Sequence, residues 1–262
     1  MTWSLLFLPA AGFFVGAVAS LTGVGGGIFI VPLLIALFRF IPQHAVGTSL
    51  TSIIFTAAAA AYFYAGQKRI FFRVGLVLAV TSIPGAYLGA YLTSVIPPRL
   101  LGLTFGIFLL LISVRMILQK GGEARIGSLA PAEKPDLELI KSPGLLAAGS
   151  GLSFFAGLSS GFLGIGGGVL SVPVMNQVMG MPIHYATATS MFTMVFTSLA
   201  GVAKHALFHH VHLTPALLLA LGTIFGAQAG TKLSLRFSGL SLRRVFGTVL
   251  LAMSLQMIWR FV

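Results

Sequence analysis

Gly23-Val24-Gly25-Gly26-Gly27, with Val31-Pro32 just beyond, returns later in the chain as Gly164-Ile165-Gly166-Gly167-Gly168, with Val172-Pro173 just beyond. Gly25 and Gly166 stand 141 residues apart, and so does every other matched pair. Both clusters interrupt apolar stretches, where a glycine weakens a helix by about 1 kcal/mol relative to alanine. A duplicated helix break inside a membrane chain is the sequence mark of a secondary transporter built from two repeats.

Composition sets the class around these breaks. The chain is 57% hydrophobic and only 8% charged, whereas soluble domains run at roughly a quarter charged. Its 262 residues divide into about ten apolar segments, too many for one soluble core. Met1 to Val18 lacks the basic start of a cleaved signal peptide and reads as a first membrane segment. A multi-pass protein of the lipid bilayer is expected.

The net charge of +12 comes from basic residues scattered singly at segment ends. That pattern sets membrane topology and does not suit nucleic acid, which needs a basic face. Cysteine is absent, which excludes disulfides and thiolate metal sites. All four carboxylates, Glu123, Glu133, Asp136 and Glu138, fall in one polar stretch. Cation and proton carriers commonly place Asp or Glu within the bilayer. The expected cargo is therefore a small anion, with no cofactor and no metal.

Three regions follow: a first transmembrane repeat over 1–118, a polar cytoplasmic linker over 119–143, and a second repeat over 144–262. The halves align without gaps. Phe13-Phe14 matches Phe154-Phe155, Thr48-Ser49 matches Thr189-Ser190, and Gly85-Ala86 matches Gly226-Ala227. Spread over a whole half, such matches argue for duplication. Each half predicts five helical pieces, at 4–20, 27–39, 44–65, 71–93 and 98–119, then 144–161, 168–180, 185–208, 213–235 and 240–261. The second piece of each half is shorter than the roughly 20 residues of a crossing, so it enters and ends, or forms one arm of a broken helix. Pro84 is expected to kink the fourth piece.

Lys68, Arg69 and Arg73 mark the loop between the third and fourth pieces as cytoplasmic. In the second half the charge moves to the next loop, at Lys232, Arg236, Arg243 and Arg244. The repeats thus read as inverted, with both chain ends outside. Four crossings per half would make them parallel instead.

The short pieces would aim helix N-termini, with free N–H groups and partial positive charge, at the breaks. Backbone at Gly25, Gly26, Gly27 and Ile28, and at Gly166, Gly167, Gly168 and Val169, is the candidate anion site. The competing reading is tight helix packing alone. Neither break continues into the Gly-Lys-Ser/Thr of a P-loop. Thr48, Ser49, Thr189 and Ser190 offer hydroxyls to an oxyanion, against a role in helix capping or back-bonding.

His44, His184 and His205 are candidate carriers of a coupling proton, against an interfacial role. His209, His210 and His212 suggest metal binding, but read better as an exposed loop. At the 141-residue offset Asn176 and Gln177 stand opposite apolar residues, Ile35 and Ala36, so a cargo role would make the site asymmetric.

Glycine break, Val-Pro, then Ala45-Val46-Gly47-Thr48-Ser49 resembles the sulfite exporter TauE/SafE family, also called the toluene sulfonate uptake permeases. The second copy carries Ala186-Thr187-Ala188-Thr189-Ser190, with Ala188 in place of the family's glycine. The resemblance covers nearly the whole chain outside the linker. It implies a bacterial inner-membrane carrier of small sulfur-containing anions, such as sulfite or organosulfonates, usually taken to be driven by the proton gradient.

Together these give an all-α integral membrane protein of two inverted repeats, with alternating access around a central site at the two breaks. Without a buried carboxylate, a coupled proton must ride on histidine, lysine or the substrate itself. A passive anion channel or uniporter is the alternative. An enzyme is not expected, because no nucleophile is paired with a base.

Overall fold

A computed structural model of the chain describes residues 2–118, 143–234 and 240–262. The acidic linker, apart from Pro143, lies outside the described residues.

Lipid offers no partner for a backbone N–H or C=O, so apolar segments become helices that satisfy their own backbone. The first half forms α1 (Thr2–Thr22), α2 (Gly27–Phe38), α3 (Pro42–Gly66), α4 (Phe72–Val95) and α5 (Pro98–Leu118). The second forms α6 (Pro143–Leu163), α7 (Gly168–Pro173), α8 (Ile183–Leu207), α9 (Leu213–Leu233) and α10 (Leu240–Phe261). Each expected piece is present to within two residues, except the second piece of the second half. There the α-helix widens after Pro173 into a π turn, Val174–Val178. α4 runs unbroken through Pro84. Among the described residues, six helices are long and apolar enough to cross a membrane: α3, α4, α5, α6, α8 and α9.

The outer surface is apolar. Trp259 is 86% exposed, Tyr62 76% and Phe14 70%, which suits lipid contact and not water. The interior is unusually rich in hydroxyls. Thr48, Ser49, Ser52, Thr56, Ser190, Thr193 and Ser198 are all buried.

Small residues let helices approach closely. A Cβ on Gly157 would strike the Ser82 carbonyl, and one on Gly161 the Ala86 carbonyl, so α6 lies directly on α4 and runs parallel to it. α1 lies on α9 in the same manner, with Gly222 against Pro9 and Gly226 against Phe13. At the centre α3 and α8 run antiparallel: Gly47 meets His205, and Leu50 meets Gly201. α5 and α10 also pair antiparallel, with Gly102 on Phe261 and Gly106 on Ile258. The pairing of α1 with α9 is thus matched by that of α6 with α4 at the 141-residue offset.

Candidate functional site

α1 ends at Thr22 and α2 begins at Gly27. Between them Gly23, Gly25 and Gly26 adopt φ of 74°, 89° and 83°. Gly164, Gly166 and Gly167 repeat this with 71°, 79° and 84°. Only glycine takes that region without strain. Gly26 and Gly167 are the N-caps of α2 and α7.

The two breaks meet. A Cβ on Gly27 would collide with the Gly164 carbonyl oxygen, and one on Gly168 with that of Gly23. Across this junction the carbonyls of Gly26 and Gly167 accept the first helical bonds, from Phe29 and Ile30 and from Leu170 and Ser171. The N–H groups of Gly25, Gly26, Gly27 and Ile28 have no hydrogen-bond partner among the described residues, nor do those of Gly166, Gly167, Gly168 and Val169. All but Val169, which is half-buried, belong to buried residues. Buried backbone donors are almost always paired, so eight at one place call for an acceptor.

The hydroxyls of the Thr-Ser motif all reach backbone. Ser49 Oγ donates to the Gly164 carbonyl at 2.9 Å, and Ser190 Oγ to the Gly23 carbonyl at 3.2 Å. The His212 N–H donates to Thr48 Oγ1 at 3.1 Å, and the Phe71 N–H to Thr189 Oγ1 at 3.1 Å. Each half therefore fixes the glycine break and one loop of the other half. Asn176 donates to the Met181 carbonyl at 2.8 Å, tying the π turn to the loop beyond it, and Gln177 is exposed.

Met194 lies between the breaks. Its Cε occupies the space a Cβ would take on Gly25 or Gly166, and its Sδ that of Gly168. Ile53, its counterpart, lies beside the same Cβ position of Gly166. Both are buried. Sequence reading passed over Met194, although it stands four residues after Ser190 on the same helix face.

Four of the histidines singled out in the sequence, His44, His205, His210 and His212, are brought together. His44 Nδ1 lies 2.6 Å from His212 Nε2, and His205 Nδ1 lies 3.2 Å from His210 Nδ1. His184 sits apart, at the end that holds Arg69, whose charge acts on it. Burial, and then the neighbouring His44, hold His210 below the ordinary imidazole range. Among the described residues no group of His, Asp and Glu is arranged to hold a metal.

An apolar helical shell around paired helix breaks and a hydroxyl-rich interior marks a multi-pass membrane protein, and its relatives are membrane transporters. The chain belongs to the sulfite exporter TauE/SafE family, whose profile matches residues 8–257. It is 32% identical over 267 residues to the Bacillus subtilis protein named "Probable membrane transporter protein YunE", covering 98% of each chain. A Xylella fastidiosa protein named "Probable membrane transporter protein" is 29% identical, over 98% of this chain and 96% of its own. The Methanocaldococcus jannaschii protein "Probable membrane transporter protein MJ0441" is 27% identical, over 97% and 96%. No solved structure matches the chain.

Proposed function

We propose that the protein is a secondary transporter of small sulfur-containing anions, of sulfite or organosulfonate type, driven by the proton gradient. The observation that carries this reading is the set of eight unpaired backbone N–H groups at the junction of the two breaks. They offer an oxyanion several donors and helix-terminal positive charge without any fixed cation. Thr48, Ser49, Thr189 and Ser190 build the walls by holding carbonyls and loops in place. The sulfur preference follows from the family.

The repeats are inverted in this reading. α3 and α8 correspond at the 141-residue offset yet run antiparallel, and α5 and α10 do the same. α1 enters from one side, and α2 turns back from the break, forming a re-entrant pair. Alternating access then comes from rocking one repeat against the other about the central site. Met194 must swing out before an anion enters. Methionine suits this, because its unbranched chain changes rotamer readily.

Uptake into proteoliposomes tests the reading. The panel is sulfite, thiosulfate, sulfate, sulfoacetate and a carboxylate control, with and without an imposed pH gradient. Saturable, gradient-driven accumulation of a sulfur oxyanion is the expected result. Flux that only equilibrates replaces the carrier by a channel or uniporter, and no flux of any sulfur anion removes the cargo assignment.

A further inference from the structure

Where α8 runs into the loop before α9, four imidazoles form a chain. His205, buried in α8, has Nε2 at 3.0 Å from the Gly161 carbonyl and Nδ1 at 3.2 Å from His210 Nδ1. The His210 ring lies 5.5 Å from that of His44, which in turn contacts His212 through the 2.6 Å pair. His212 is exposed. The chain thus leads from the surface to α6, three residues before Gly164 of the second break.

Chemistry fixes the hydrogen-bond roles. A carbonyl only accepts, so His205 carries a proton on Nε2. Neutral His205 therefore accepts at Nδ1, and His210 donates from its Nδ1. His210 Nε2 is then the atom left to receive a further proton.

The other half lacks this device. At the 141-residue offset, Tyr64, Arg69, Tyr185 and Phe71 stand for His205, His210, His44 and His212. Tyr64 donates to the Ser20 carbonyl at 2.6 Å, Arg69 lies 5.2 Å over the Tyr64 ring, and Phe71 contacts Tyr185 at 5.2 Å. One scaffold carries a permanent charge at one end and a titratable cluster at the other.

The surroundings decide what can balance a proton there. α4 contributes Tyr87 and Tyr91, which hold the Lys204 ammonium at 4.8 and 5.3 Å, with Phe208 at 4.9 Å. α6 contributes the Gly161 carbonyl. The turn after α2 contributes the Phe40 ring, 4.7 Å from His212, with Arg39 just before it. His209 is exposed alongside. Among the described residues no Asp or Glu is present. Among the described residues a charged imidazole here has no fixed counter-ion, and an anion at the break that begins three residues beyond Gly161 would supply one.

We propose that His212, His44, His210 and His205 form the proton-loading relay of the transporter, filled as the anion binds. This rests on the transport reading above. A proton entering at the His212–His44 pair passes to His210 Nε2, and the His210 Nδ1 proton moves to His205 Nδ1. Only N–H bonds form and break. Burial, and then the neighbouring His44, disfavour charge on His210, and an anion bound at the break opposes that effect.

The test uses proteoliposomes of the native protein, H205Q, H210Q and the counterpart control Y64F, with sulfite, thiosulfate and sulfoacetate as probes. Anion exchange at equal pH is compared with accumulation under a pH gradient. H205Q and H210Q are expected to keep exchange within about threefold and to lose about tenfold or more of the gradient-driven accumulation. Y64F keeps both. Unchanged accumulation in H205Q and H210Q overturns the relay alone. No exchange of any probe by the native protein removes the transport reading and the relay with it. Nitrogen NMR of ring-labelled histidine in the native protein gives an independent check should the variants lose exchange as well. Saturation with the exchanged anion is expected to raise an imidazole midpoint by about one pH unit, and no movement overturns the proposal.

Discussion

Gly26 and Gly167 hold left-handed backbone and pack against neighbours at once. A Cβ on Gly26 would meet Val15 at 2.7 Å, and one on Gly167 the Ala156 carbonyl at 3.0 Å. Gly26→Leu or Gly167→Leu is expected to abolish uptake while the protein stays in the membrane, as checked by flux and by size-exclusion profile in detergent. Normal flux in either variant would remove the breaks from the site. Ser49 and Ser190 make a different prediction. Replacing either by Ala leaves a buried carbonyl without its donor, which costs about 1–3 kcal/mol. A lower melting temperature with anion affinity preserved identifies the hydroxyls as cross-repeat struts, whereas weakened affinity at unchanged stability makes them ligands. Met194→Ala is expected to speed anion exchange, and Met194→Ile, which copies Ile53, to slow it. Equal rates in both would leave Met194 as mere packing. The glycines were legible because four within five residues weaken a helix in an apolar run, and the cluster recurs at one offset. Met194 was not, because a methionine among apolar residues looks like any core side chain.

At the level of elements, the second short piece is where the two halves part. α2 stays α-helical through Pro32, while α7 widens after Pro173 into a π turn. Asn176 accompanies the change, donating to the Met181 carbonyl, whereas Ile35 at the matching position has nothing to donate. Asn176→Ile is expected to lower stability by about 1 kcal/mol in thermal unfolding, with transport reduced less than twofold to threefold, roughly speaking. A loss of transport at unchanged stability would give Asn176 a cargo role instead. Apart from α7, helix ends were legible to within two residues. α3 starts at Pro42 and α8 directly after Pro182, because proline suits the entry to a helix, where its missing N–H has no partner to lose. The π turn had no signal beyond two polar residues in an apolar piece.

For the whole molecule the decisive question is which side each loop faces. Lys68 and His209 correspond at the 141-residue offset, are both exposed, and share a left-handed backbone with φ of 55° and 56°. The chain has no cysteine of its own. Lys68→Cys and His209→Cys are expected to react with a membrane-impermeant maleimide from opposite sides, Lys68→Cys from the cytoplasm. Labelling from one side would make the repeats parallel. By itself the sequence determined the membrane class, the duplication, the helical pieces and the place of the breaks. These follow from composition, from self-similarity at one offset, and from the local cost of glycine in a helix. Only the tertiary structure decided that Ser49 secures the break of the other half, and that Met194 fills the space between the breaks. It alone brought His205 and His210 together with His44 and His212. Such contacts join residues far apart in the chain, and their geometry depends on how two helical repeats cross, which no local pattern encodes.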